Sequence, residues 1–443
     1  KDGTKVIELK GSFDNSADPD EYFKAKFTFT AEDSNGKNVT GINEPETVKF
    51  DITDSGDLTV EKSADTPNSA ILVANTSNNS VAKFKLSSDN DITKVTEIYM
   101  SNLKGPDADA RISEVRLMKG TTVLDTDVPV NGEVHFNIPT GSLNIDKDGN
   151  ATVEVQVSLN QISDDSETDK AIQFVITKVK ANGSNGSELD ATHNNTIHFA
   201  TTTVTLTATT TATDTSLTVS GNTIATGSII KIDSEQMLVT AGASTTLTVT
   251  RGINGTSADD HNNSSAIDKV AGVDSGKEFR IRKTVPTIQL LDLPSETLGA
   301  GTQTLAKFKV AAHANEDVNI KTIKLNITKS SSSISLTGWQ LKVNGDVKTL
   351  TDTDFSNGIS FDTGSPEVVA AGSEKTFEVI ATVGGLVDDA YNYVSTKINE
   401  AANYSDSGDF EWNDNASNDQ ASWFNSYRVK GLPTDTQQLS VTL

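Results

Sequence analysis

The residues best suited to chemistry in this chain are carboxylates that return at one place in a repeating pattern. Asp18 and Asp20 form the first group, Asp164, Asp165, Glu167 and Asp169 the second, and Asp388 and Asp389 the third. Calcium takes roughly six to eight oxygen ligands, so several carboxylates converging on one loop admit it as a cofactor. The competing explanation is a solvated acidic loop, because the chain holds 61 Asp and Glu against 37 Lys and Arg, a formal net charge of −24. Pro19 interrupts the first group, and the third is the thinnest. Asn144 to Gly149 imitates the start of an EF-hand loop, but Val155 stands where that loop needs a bidentate glutamate. That stretch reads as a polar hairpin turn.

Catalytic constellations are missing. His135, His193, His198, His261 and His313 follow no H-E-x-x-H or comparable ligand spacing. No G-x-S-x-G elbow occurs, and no Walker A or G-x-G-x-x-G phosphate loop. No cysteine is present to act as a nucleophile, a zinc ligand or a disulfide partner. Paired acids could serve a glycosidase, but in so acidic a chain such pairs arise by chance. The expectation is a protein that is not an enzyme. The negative charge disfavours nucleic acid and anionic membrane surfaces. No apolar run reaches the roughly 20 residues that span a bilayer.

The elements that would position the acidic loops are strands. Val153, Val155, Val157 and Leu159 alternate with Glu154, Gln156 and Ser158, which is the period of a half-buried strand. Phe84 to Leu86, Ile172 to Ile176, Ile323 to Ile327 and Phe377 to Ala381 behave alike. Between them stand Asn131-Gly132, Asp148-Gly149, Asn344-Gly345 and Asn357-Gly358, pairs that tolerate the positive φ of tight hairpin turns. An apolar fraction of 35% with 6% aromatics suits the thin cores of β-sandwiches. A chain of 443 residues needs several such cores.

Internal similarity sets the organisation. Ala82-Lys83-Phe84-Lys85 returns as Ala306-Lys307-Phe308-Lys309, an offset of 224 from 82 to 306. The same 224 carries Asp164-Asp165 onto Asp388-Asp389, and Val153-Glu154-Val155 onto Phe377-Glu378-Val379. A second offset, 146, carries Lys1-Asp2-Gly3 onto Lys147-Asp148-Gly149 and Asp18 onto Asp164, so the sequence opens midway through a repeat. The expected fold is all-β, tandem Ig-like β-sandwich repeats with a small inserted β module. The expected division is a partial sandwich over 1–48, a sandwich over 49–199, the module over 200–277, a second sandwich over 278–431 and a terminal strand over 432–443. The segments from about 60 to 199 and from about 284 to 430 should share one strand order.

Two resemblances add to this reading. Arg251-Gly252, Asn254-Gly255-Thr256 and His261 resemble a short module of phage fibre and virion-associated proteins, which implies a connector or attachment element. Phe410-Glu411-Trp412-Asn413-Asp414, Trp423-Phe424 and Gly431-Leu432-Pro433, with the Ala-Lys-Phe-Lys strand, resemble repeat-containing surface-layer or extracellular fibre proteins of uncultured ultra-small bacteria. That resemblance implies an extracellular, cell-surface location and a self-assembling structural role, with copies of the chain as its partners. The alternative is an adhesin or glycan-binding module of a larger surface protein. Trp339, Trp412 and Trp423 either fill a core or form a platform for sugars. N-glycosylation sequons such as Asn38-Val39-Thr40 and Asn326-Ile327-Thr328 are frequent, as the composition dictates.

The tail carries a further expectation. Leu439-Ser440-Val441 resembles Leu58-Thr59-Val60, the opening strand of a repeat. The half-repeat at the start would leave Val6, Leu9, Phe27 and Phe29 on an uncovered face. Leu439, Val441 and Leu443 are therefore expected to pair with a sheet of a neighbouring copy, a head-to-tail contact that extends without closing.

Overall fold

The computed structural model describes residues 22–40, 46–47, 49–51, 56–184, 186, 199–221, 223–348, 359–360, 366–406, 408–415 and 423–443. Among these, the chain is built of strands, with two short 3-10 turns at Pro106–Arg111 and Asp165–Glu167.

In the first sandwich one sheet runs in the order Asp57–Lys62, Asn79–Asp89, Asn150–Leu159, Ile112–Lys119, Thr122–Asp127. The opposing sheet centres on Thr93–Asn102, which pairs with Glu133–Asn137, Asn144–Ile145 and Phe174–Asn182. Strand alternation delivers Phe84, Leu117, Val153, Val155 and Val157 from one sheet and Ile98, Met100, Phe136, Phe174 and Ile176 from the other into a single core. Phe84 and Phe136 are fully buried, and truncating either to alanine would cost about 3–5 kcal/mol.

The second sandwich repeats this plan in pairing as well as in sequence. Its first sheet runs Pro286–Leu290, Gly301–Ala312, Glu374–Gly384, Ser335–Val343, Asp346–Lys348. Phe84 faces Val153 in the first sandwich, and Phe308 faces Phe377 in the second. Val155 faces Leu117, and Val379 faces Leu341. Ile98 faces Phe136, and Thr322 faces Ser360. All six of these positions map onto their counterparts by the 224 offset, so the strand order of the two sandwiches is the same.

A third, small sheet closes the side of each sandwich. In the first, Phe279–Arg282 lies antiparallel to Lys170–Ile172 and parallel to Ile71–Val73. In the second, Gln437–Thr442 lies antiparallel to Tyr391–Lys397, which also pairs with Asn326–Lys329. Lys170 faces Ile281, and Val394, its counterpart at 224, faces Leu439. Both Ile281 and Leu439 are buried.

That register corrects the reading of the tail. Leu439 is the counterpart of Ile281 in a closing strand, not of Leu58 in an opening one. Leu439 and Val441 pair with Val394 and Asn392 of their own chain, and Leu443 donates its N–H to Ala390 O at 3.3 Å. The expected strand addition to a neighbouring copy is therefore unnecessary for Leu439, whose side chain is 1% exposed within its own sandwich. Similarity to Leu58-Thr59-Val60 misled because every alternating strand of this composition looks alike.

The inserted module is a six-stranded sheet in the order Ala200–Thr205, Ala266–Ala271, Ser228–Ile232, Glu235–Ala243, Thr246–Thr250, Ser216–Thr218. It has its own core, including Leu217, Ile230, Met237 and Ile267. Its place differs from the expected one between two repeats. Val273–Asp274 pairs with Phe174–Asn182, and Phe279 and Ile281 belong to the first core, so the module is inserted within the first sandwich. Ile229, Leu238, Ile253 and Val270 of the module cluster with Leu103 and Val175 of that sandwich. A Cβ at Gly272 would come 2.5 Å from Val175 Cγ1 and 2.8 Å from Gly227 O, so glycine permits this close approach.

Ahead of the first sandwich, Tyr22–Phe23 pairs with Phe50–Asp51 and Phe29 is exposed. Val6 and Leu9 lie outside the described residues.

Candidate functional site

The acidic loop of the first sandwich is drawn into ion pairs. Asp164 caps the 3-10 turn Asp165–Glu167, its side chain accepting the Ser166 N–H at 2.9 Å. These hydrogen bonds hold its carboxyl below the ordinary aspartate value. Asp165 opens the same turn. Glu167 meets Arg111 at 2.7 Å, and Asp169 takes Arg282 at 2.8 Å and Arg280 at 3.4 Å. In the second sandwich Asp388 and Asp389 lie exposed in the turn before Tyr391–Lys397, Asp389 at φ 56. Asp18 and Asp20 fall outside the described residues.

A calcium ion drawing on Glu167 and Asp169 would have to displace guanidinium groups from both carboxylates. The donor set of this loop does not fit the ion, and no group of three or more His, Cys, Asp or Glu able to hold a metal occurs among the described residues.

What the loop joins instead is a seam between the two sandwiches. Arg282 is the last residue of the first closing strand, and its side chain is 3% exposed. Its guanidinium carbon lies 3.7 Å from the Phe424 ring centroid and 5.2 Å from that of Trp412, both in the second sandwich. Burial pushes Arg282 below its ordinary pKa, while Asp169 acts to raise it. Asp414, fully buried, accepts the Lys283 N–H at 2.8 Å and the Thr168 hydroxyl. Tyr404 donates to Ala70 O at 3.3 Å and Asn315 Nδ2 to Ala74 O at 2.5 Å. Burial raises the Tyr404 phenol above its ordinary value, so it stays a neutral donor. Ile71 of the first sandwich packs against the core of the second.

A second constellation, in the module, escaped the sequence because histidine spacing alone has no meaning in a sheet. Glu235 is fully buried at its side chain and accepts from Arg251 Nε at 2.7 Å and Nη2 at 2.6 Å, from Gly252 N, from Asp259 N and from His261 Nε2 at 2.9 Å. His261 Nδ1 meets Asp233 at 2.9 Å. Arg251 also donates to the carbonyls of Thr211, Asp214 and Asp259. The residues Arg251, Gly252 and His261 singled out as a motif thus form a structural hub that ties three loops together.

His135 and Trp412 are each held in place by neighbours in their own sandwich. His135 stacks on Tyr99 at 3.9 Å and meets Glu97 at 2.9 Å. Burial would raise Glu97, but Lys180, Tyr99 and His135 hold it down at about 2. His193 and His198 lie outside the described residues. Trp412 is fully buried and donates its Nε1–H to Asn425 O, so it fills a core.

No family model and no curated protein matches the chain. Solved structures align over long stretches at low similarity. The C-terminal domain of the AgI/II polypeptide BspA from Streptococcus agalactiae is 8% identical with a TM-score of 0.17, over 81% of this chain and 96% of that one. A putative membrane anchored protein from Corynebacterium diphtheriae is 9% identical with a TM-score of 0.16, over 96% and 97%. The fibronectin(III)-like modules of CbhA from Clostridium thermocellum are 8% identical with a TM-score of 0.14, over 87% and 94%. Scores this low are not those of a shared overall arrangement.

Proposed function

We propose that the chain is a structural module of a cell-surface layer or extracellular filament, assembling with copies of itself. The observation that carries this reading is the seam. Only Lys283, Thr284 and Val285 separate the closing strand of one sandwich from the opening strand Pro286–Leu290 of the next. Side chains from both sandwiches fill the space around Arg282, so the joint lacks the exposed linker that lets domains move independently. Stacked repeats with rigid joints make rods and lattices. The acidic surface suits solubility outside the cell, and no helix among the described residues is long and apolar enough to cross a membrane. Electron microscopy of the purified chain tests the assembly. Ordered sheets or uniform filaments are expected as concentration rises; monomers at every concentration and salt condition would contradict it.

A further inference from the structure

Among the described strand ladders one is parallel. Ile71–Val73 runs beside Phe279–Arg282 with Arg280 facing Ile71, Ile281 facing Leu72 and Arg282 facing Val73. Arg280 N donates to Ala70 O at 3.2 Å, and Ala74 N donates to Arg282 O at 2.8 Å. The second sandwich repeats the device at the equivalent place. Thr297 bridges Ser440 in parallel, Ser440 N donates to Glu296 O at 2.9 Å and Leu298 N to Ser440 O at 3.1 Å.

This direction decides how a sandwich meets a pull on its ends. The chain enters the first sandwich by way of Asp57–Lys62 and Ile71–Val73 and leaves it by Phe279–Arg282. Ile71–Val73 and Phe279–Arg282 being parallel, tension that passes through Asp57–Lys62 to Ile71 and is applied at Arg282 acts at opposite ends of the pair. Tension slides one strand along the other, and all the hydrogen bonds between them share the force. Antiparallel entry and exit strands would instead open bond by bond.

We infer that the parallel pair is a mechanical clamp that lets this chain carry tension, and that the inserted module is shielded behind it. The inference deepens the structural reading above and rests on it for its purpose. The clamp is anchored on both sides. Leu72 and Ile281 are buried in the first core, and Asp169 holds both Arg280 and Arg282. From the second sandwich, Tyr404 and Asn315 hold the carbonyls of Ala70 and Ala74 that flank the entry strand. The module lies in sequence between Phe174–Asn182 and Val273–Asp274, which pair with each other through Val175 with Asp274 and Ile176 with Val273. Tension therefore reaches the module only after the first sandwich has come apart.

Single-molecule force spectroscopy on the full chain tests this. The chain has no cysteine, so introduced thiols give unique handles. Pulled from its ends, the second sandwich should release about 50 nm and the first sandwich with its module about 75 nm in all, at ~3.4 Å per residue. The module's share, about 25 nm, should never appear first. Asn68→Cys and Lys277→Cys then place handles side by side at one end of the clamp, where Lys277 Nζ meets Asn68 Oδ1 at 3.0 Å. Pulling there unzips the pair, and the rupture force of the first sandwich should fall at least threefold. Ala74→Pro, which removes the donor to Arg282 O, should lower the first sandwich's force and leave the second's unchanged. Should that variant not fold, the handle pair still decides, since Asn68 and Lys277 lie outside the core. Equal forces in the two pulling directions, or a module step ahead of the sandwich step, would overturn the inference. Neither result bears on whether the chain assembles, which microscopy reads separately.

Discussion

Among the described residues, Arg251 at Glu235 and Arg282 at Asp169 are each buried against a carboxylate, and the two places are built to different ends. At Glu235 every acceptor is occupied: Arg251 enters as a fork, and two backbone N–H groups and His261 complete the shell. The hub lies wholly within the module. At Arg282 the carboxylate is Asp169, itself 33% exposed, and the guanidinium also faces the rings of Phe424, Trp412 and Tyr404 from another sandwich. One Arg282 nitrogen, Nη1, has no hydrogen-bond acceptor. A saturated shell stabilises its own unit; an aromatic lid supplied from next door makes the arginine's stability conditional on the neighbour. The hub is a lock inside one domain and the seam is a joint between two.

The largest effect that would sharpen this contrast is expected from Glu235→Ala. It strands Arg251 and His261 in a buried site, a loss of about 3–5 kcal/mol. Hydrogen exchange should show protection lost over 200–271 and kept over 286–343. Uniform loss across the chain would mean that the hub is not confined to the module.

Arg282→Ala should cost less, about 2 kcal/mol, because the carboxylate it leaves behind is partly solvated. Its signature is decoupling. A calorimetric transition shared by the two sandwiches should split into two. A lowered but still single transition would show that the remaining seam contacts suffice.

A smaller effect is expected from pH. Burial alone would raise Glu235, but Arg251, the Asp259 N–H and His261 outweigh it and hold the folded carboxyl below its ordinary 4.5. A depressed acid contributes stability that is present above its unfolded value and lost as pH falls through the folded one. Acidification below about pH 4.5 should therefore destabilise the wild-type module more steeply than the Glu235→Gln variant. Parallel acid titrations of the two would refute this.

The least effect is expected from chelation. With Asp164, Glu167 and Asp169 engaged by Ser166 and arginines, excess chelator should leave the melting temperature unchanged. A fall of several degrees would restore calcium to the acidic loops.

Much of the fold was legible because strand alternation and the 224 offset are periodic signals, and both report core positions. Phe84 and Phe308, Val153 and Phe377 could be matched before any contact was known. The tail and the module boundary were not legible. Whether Leu439 opens or closes a sandwich depends on which strand it pairs with, and pairing partners 45 residues away leave no local trace. The seam was missed for a related reason. Asp169 draws the eye as an acid among acids, yet its meaning comes from Arg282, which is 113 residues distant in sequence. Trp412 and Phe424 were visible as aromatics, but not as the lid over that arginine.

The central claim is that the seam makes the two sandwiches one rigid body, and a distance across it is the most direct test. Thr122 and Asp346 are exposed and open equivalent strands of the two sandwiches, Thr122–Asp127 and Asp346–Lys348. In this cysteine-free chain, Thr122→Cys and Asp346→Cys can carry spin labels for a pulsed electron–electron distance measurement. The account predicts one narrow distance distribution that broadens when Arg282→Ala is added; a broad distribution in the otherwise unaltered chain would contradict it.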